Sequence, residues 1–151
     1  MYKRILVPLD GTETAQAGLK EAIELARQTH AVLCLLHVTN DYPIMAEAPI
    51  AIDFQQYLEG LNQHGRQMLE RAKALATSAG LEVETHLQAL KGGRVSDAIL
   101  QMAQATGCDL IVIGTHGRRG FRRALLGSDA EAVLRQSRCP VLLIRSPEER
   151  Q

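Results

Sequence analysis

Three unbroken apolar runs restrict what this chain can fold into: residues 4–9 (RILVPL), 31–38 (AVLCLLHV) and 110–113 (LIVI). Each is as short as a strand, and none alternates apolar with polar residues. A strand that is apolar on both faces must be covered on both faces, as parallel strands are when helices flank a sheet. Residues 81–89 (LEVETHLQA) alternate more, which suggests an outer strand with one wetter face. Val141–Ile144, after Pro140, reads as a last short strand.

Helical spacing fills the gaps between these strands. Ala15, Leu19, Ala22, Ile23 and Ala26 form one apolar stripe behind a capping Thr12 or Thr14. A long helix over residues 54–79 has Phe54, Tyr57, Leu58, Leu61, Met68, Ala72, Leu75 and Ala79 on its inner face, and Gly80 stops it. Ala98, Ile99, Met102 and Ala103 mark a third helix ended by Gly107. Ser128 opens a fourth, with Val133 and Leu134 inward. Residues 40–53, with Pro43 and Pro49, read as a mobile loop. Strand and helix alternate to the end without a composition shift or repeat. The expectation is an α/β fold, a doubly wound five-stranded parallel sheet with helices on both faces, formed by a single domain over residues 1–151. With the first strand central, the strand order is 3-2-1-4-5.

The stretch over residues 114–128, GTHGRRGFRRALLGS, follows the fourth strand and feeds the fourth helix. Gly114, Gly117, Gly120 and Gly127 bring backbone amides close to a ligand, and arginines between them attract anions. A glycine loop leading from a strand into a helix N-terminus suits phosphate. The chain has 17 basic and 17 acidic residues, so any anion site is local and no global field draws it to nucleic acid or membrane. With no Trp, three Tyr and two Phe, it lacks the rings of a single-strand stacking platform. Three scattered cysteines without a CxxC pair point to a reduced, cytoplasmic chain. The opening apolar run stops at Asp10, too short for a signal-peptide core, and no run reaches transmembrane length.

Ligands of open parallel sheets sit beyond the carboxyl ends of the strands, where the strand order reverses. In the order 3-2-1-4-5 that crevice lies between Pro8-Leu9-Asp10-Gly11 and Gly114-Thr115-His116-Gly117. Asp10 suits ribose hydroxyls or a divalent cation. Backbone amides around Gly114, Gly117 and Gly127 suit phosphate oxygens, with the Ser128 hydroxyl and arginines such as Arg118 and Arg119 beside them. Val38, ending the second strand, suits an adenine edge through its main chain. Plainer roles fit the same residues. Ser128-Asp129-Ala130-Glu131 matches a capping box. Asp10-Gly11 matches a turn, and loop arginines and His116 match a solvated surface.

Taken together, the RILVPLDG opening, AVLCLLHV, DLIVIGTHGRRG and SRCPVLLIR resemble the universal stress protein family over essentially the whole chain. Nucleotide-binding members carry glycine, two residues, glycine, nine residues, glycine, then serine or threonine. Gly114, Gly117, Gly127 and Ser128 match that spacing without a gap. The resemblance implies Pro8 and Asp10 at the adenosine end, Val38 at the base and Gly114 at the ribose. It implies Gly117 at the phosphates, a channel lined by Arg118, Arg119 and Gly120, and closure by Gly127, Ser128 and Asp129. It also implies ATP, or AMP or ADP, as ligand, and homodimers. Asp129 brings a carboxylate towards the expected phosphates. It suits a bound Mg²⁺ or Mn²⁺, or points away, or weakens affinity.

No GxxxxGK[ST], GxSxG, HExxH or clustered zinc-ligand set occurs. An ATP-sensing regulatory module is expected rather than an enzyme. The alternatives are an interaction scaffold with a structural glycine loop and a slow ATP-hydrolysing or nucleotidyl-transferring enzyme. The last strand, at the edge in this order, is expected to pair with a second copy of the chain, with room for a further protein partner.

Overall fold

The computed structural model describes residues 1–40, 53–116 and 126–146. The strands are β1 (Arg4–Pro8), β2 (Val32–Asn40), β3 (Val83–Leu90), β4 (Leu110–Gly114) and β5 (Val141–Ile144). The helices are α1 (Glu13–Thr29), α2 (Phe54–Ser78), α3 (Val95–Ala105) and α4 (Ser128–Gln136). The sheet has five strands in the order β3-β2-β1-β4-β5, all paired in parallel, as expected with the first strand central.

The register explains the unbroken apolar runs. Leu6 pairs with Cys34 on one side and Ile111 on the other. These residues share one face with Leu36, and Ile99, Ala103 and Val133 of α3 and α4 cover them. Their neighbours Ile5, Val7, Leu33 and Leu35 point the opposite way, against Leu19 and Ala22 of α1 and Met68 and Ala72 of α2. Successive side chains alternate across a strand, so a sheet with two covered faces has no polar position to spare at its centre.

Local signals set the helix ends. Thr12 caps α1, its side chain accepting from the Ala15 N–H at 3.2 Å. Asp53 caps α2 by accepting from the N–H groups of Gln55 and Gln56. Gly80 ends the α2 turn at φ +81°, a conformation that costs a residue without Cβ little. Two expected core residues turn outwards: Leu75 is 46 % exposed and Leu134 is 47 % exposed. Each precedes or follows a buried residue, Ala76 or Val133, and one helical step rotates a side chain by about 100°. The inner stripe of α2 is Gly65, Met68, Leu69, Ala72 and Ala76. The edge strand β3 also departs from expectation. Val83 to Gln88 are all half-buried, so neither of its faces is the wet one. Among the described residues, no helix is long and apolar enough to cross a membrane.

Candidate functional site

The strand order reverses between β1 and β4, and the segments leaving those two strands meet at their carboxyl ends. Asp10 follows β1. Its Oδ1 accepts from the Thr12 N–H at 3.0 Å and from the Thr12 hydroxyl at 2.6 Å. These bonds turn the chain into α1 and fix one carboxylate oxygen, with Asp10 half-buried. Gly114 ends β4 against the first turn of α1. A Cβ at Gly114 would lie 2.7 Å from Thr14 Cγ2 and 3.1 Å from the Thr14 carbonyl carbon. The Asp10 turn and the start of the glycine stretch are thus joined through Thr12 and Thr14.

Thr115 carries the chain out of the sheet. It is buried, its N–H donates to the Ile144 carbonyl at 2.9 Å, and its own carbonyl accepts from the Gly127 N–H at 2.7 Å. Both ends of the glycine stretch are therefore fastened at the tip of β4, with the N-terminus of α4 beside them. His116 follows, its Nδ1 3.1 Å from the Thr115 hydroxyl. Gly117, Arg118, Arg119 and Gly120 lie outside the described residues, as does most of the 40–53 segment.

The capping expectation for Ser128 needs correction. The N-cap of α4 is Gly127, with extended backbone, and Ser128 is the first helical residue, exposed at the helix end. Glu131 does not close a box; its side chain pairs with Arg135 at 3.3 Å. Ser128 is left facing outwards at the positive end of a helix dipole. Asp129 reaches the neighbouring helix with one carboxylate oxygen. Its Oδ1 accepts from the Ser96 N–H at 3.2 Å, so it lies against the first turn of α3.

Pro8 closes β1 opposite Leu36. The Leu36 carbonyl accepts from the Leu9 N–H at 2.7 Å, so it faces the β1 side. Main-chain groups two residues apart in a strand share a side. Those of Val38 therefore point past the end of β1, over the crevice, while β3 runs alongside β2 as far as Asn40.

Residue-by-residue reading of the sequence missed His37 and Gly65. His37 is buried, and its Nδ1 lies 2.7 Å from the Leu9 carbonyl. A carbonyl only accepts, so Nδ1 carries the proton and the ring anchors the turn before Asp10. A Cβ at Gly65 would lie 2.6 Å from His37 Cδ2, so this helical glycine is the seat for the ring. A glycine in the middle of a long helix was the available signal.

Among the described residues, no group of three His, Cys, Asp or Glu is placed to hold a metal ion. A recess of about 460 Å³ opens between α1 and α2, lined by Gln16, His64, Met68 and Arg71, and among the described residues it meets the crevice at Gly11.

Comparison with known proteins gives the same architecture throughout. A universal stress protein MJ0531 of Methanocaldococcus jannaschii is 32% identical over 149 residues, covering 99% of this chain and 85% of that protein. The structure of hypothetical protein MJ0577 superposes with a TM-score of 0.83 at 28% identity over 96% of both chains. A universal stress family protein from Burkholderia pseudomallei gives 0.78 at 33% identity, covering 95% of this chain and 96% of that one. The fold recurs, at 24% identity or less, in a universal stress protein in complex with cAMP, one from Archaeoglobus fulgidus with dAMP and one from Arabidopsis thaliana with AMP bound. The profile of the universal stress protein family matches residues 1–145, and this chain belongs to that family.

Proposed function

We propose that this chain binds an adenine nucleotide, with ATP, ADP or AMP as candidates, in the crevice between the ends of β1 and β4, and acts as a nucleotide-responsive regulatory module. The observation that carries the reading is the fastening of both arms of the crevice. Asp10 is oriented by Thr12, and the Thr115 carbonyl holds Gly127 so that the N-terminus of α4 stands over the tip of β4. Asp10 offers a carboxylate oxygen to ribose hydroxyls, and Val38 offers main-chain groups to the adenine edge. Gly127, Ser128 and the N-terminal amides of α4 are the candidates for phosphate, with Gly117, Arg118, Arg119 and Gly120, outside the described residues, as further candidates. The cAMP, dAMP and AMP complexes of related folds support adenine as the base class.

One oxygen of Asp129 is engaged by α3, as one oxygen of Asp10 is engaged by Thr12, which leaves each carboxylate a second oxygen. A divalent ion would enter on the phosphates, with Asp10 as its candidate protein oxygen. The exposed edge strand β5 is proposed to pair with β5 of a second copy, covering Leu142.

Thermal unfolding with AMP, ADP and ATP, each with and without Mg²⁺, tests the reading, together with mass spectrometry of small molecules released from the denatured protein. A saturating ligand at a hundredfold excess over its Kd adds about 2.7 kcal/mol of stability. An unchanged Tm with every adenine nucleotide at millimolar concentration overturns the proposal.

A further inference from the structure

The recess between α1 and α2 takes no part in the crevice chemistry. α1 packs mainly on β1, β4 and β5, and α2 on β2 and β3. Each helix covers its own half of the sheet, and the seam between them is left open. Leu19 of α1 and Met68 and Ala72 of α2 line it, all three buried members of the core cluster on that face. Leu75 lines it as well and is exposed. Water gains nothing from these apolar side chains, so a ligand that covers them is favoured. The volume of about 460 Å³ falls within the roughly 300–1,000 Å³ of small-molecule sites.

The polar lining has one sign of charge. His64 and Arg71 are both on α2, separated by about two helical turns and therefore on one face. Gln67 lies between them, and Gln16 lines the recess from α1. Among the described lining residues there is no Asp or Glu. Arg66, on the same helix, pairs with Glu59 at 3.5 Å, whereas Arg71 has no carboxylate partner among the described residues. A guanidinium presents a planar fork of donors that matches a carboxylate. The glutamine amides add neutral donors beside it.

The inner end of the recess is marked by one contact. Gly11 has φ +84°, and a Cβ there would lie 3.3 Å from Met68 Cε. The Met68 methyl group thus sits in the recess, close to the turn that follows Asp10.

We propose that this recess is a second ligand site, for a small amphiphilic carboxylate. Its apolar body covers Leu19, Met68 and Ala72, and its carboxylate pairs with Arg71. A bare anion has nothing to place on the apolar lining. A neutral chain leaves the guanidinium unmatched, and a cation is repelled by it. Both halves of the ligand are therefore required. The site uses none of the residues proposed for the adenine nucleotide, so it stands or falls separately from that reading.

Titration of the nucleotide-free full chain with octanoate tests this, followed by NMR of carbon-13-labelled methionine methyl groups. Met68→Leu assigns the Met68 signal. That signal should shift and saturate, while Met102, packed on the other face of the sheet, should not move. Acetate should give no shift, and octan-1-ol should bind roughly tenfold more weakly than octanoate. Arg71→Gln should weaken octanoate roughly tenfold at unchanged Tm, since an exposed arginine without a carboxylate partner does not hold the fold together. Leu75→Glu puts a carboxylate one turn beyond Arg71 and should abolish binding. The proposal is overturned by a Met68 signal that stays fixed at millimolar octanoate or by an equal shift of Met102. Equal affinity for octan-1-ol, or undiminished octanoate affinity in Arg71→Gln or Leu75→Glu, overturns it as well.

Discussion

The Asp129 carboxylate of α4 accepts a hydrogen bond from the Ser96 N–H in the first turn of α3, at 3.2 Å. One helix thus supplies the cap that the other lacks, since Arg94 at the N-cap of α3 makes no side-chain capping bond. Asp129→Ala should cost about 1–2 kcal/mol by leaving that donor unmet. Urea denaturation measures it. Nucleotide affinity should change less than threefold in the same variant. A tenfold change by calorimetry would mean that the carboxylate faces the phosphates instead.

Ser128 separates helix stability from binding. An acidic residue at the first helical position interacts favourably with the dipole, by about 0.3–1 kcal/mol. Ser128→Asp should therefore hold or raise the Tm of the free protein. The same charge repels phosphate, so ATP affinity should fall at least tenfold. An unaltered affinity in this variant places the phosphates elsewhere.

Two glycines of α2 should respond in opposite directions. Nothing lies within 4 Å of a Cβ at Gly60, so Gly60→Ala should stabilise by about 0.5–1 kcal/mol through backbone entropy. At Gly65 the same methyl group meets His37 at 2.6 Å and Leu87 at 2.7 Å. Gly65→Ala should destabilise by about 1–3 kcal/mol despite its better helix propensity. Chemical denaturation of both variants checks the contrast, and equal shifts would contradict the packing at His37.

Acid should loosen the N-terminal end of the sheet. The hydrogen bond from Arg4 holds the Glu84 carboxyl below its ordinary range, burial opposing it. Burial also opposes ionisation of Asp109, but the backbone N–H groups of Arg4 and Lys3 outweigh it and hold that carboxyl low as well. A depressed folded-state value contributes stability above the ordinary carboxylate range, and that stability is lost as pH falls through the folded value. Unfolding free energy should therefore decline below about pH 4, and the decline should be shallower in Asp109→Asn and Glu84→Gln. Parallel pH profiles for wild type and both variants would count against these two groups.

The β5 edge is expected to carry the proposed dimer. Leu142 is 39 % exposed on this strand, with Leu134 exposed on the neighbouring helix. Light scattering at micromolar concentration should give a dimer, and Leu142→Lys should shift it to monomer. A monomeric wild type defeats the pairing.

The sheet was legible because a strand covered on both faces admits few polar residues: RILVPL, AVLCLLHV and LIVI report their own burial, and the helices between them leave few topologies. Thr12 and Gly80 were equally readable, since capping and positive φ depend on neighbours close in sequence. The sequence alone determined the strands, their order by pattern, and the crevice between Asp10 and Gly114. Tertiary structure alone decided what depends on residues far apart in the chain. It turned Asp129 towards Ser96, moved the cap from Ser128 to Gly127, and seated His37 on Gly65. It also rotated Leu75 and Leu134 outwards and gathered Cys34 and Cys108 into one apolar cluster. Each of these outcomes is set by which atoms meet across elements, and a hydrogen bond or steric contact of that kind leaves no periodic trace in the sequence.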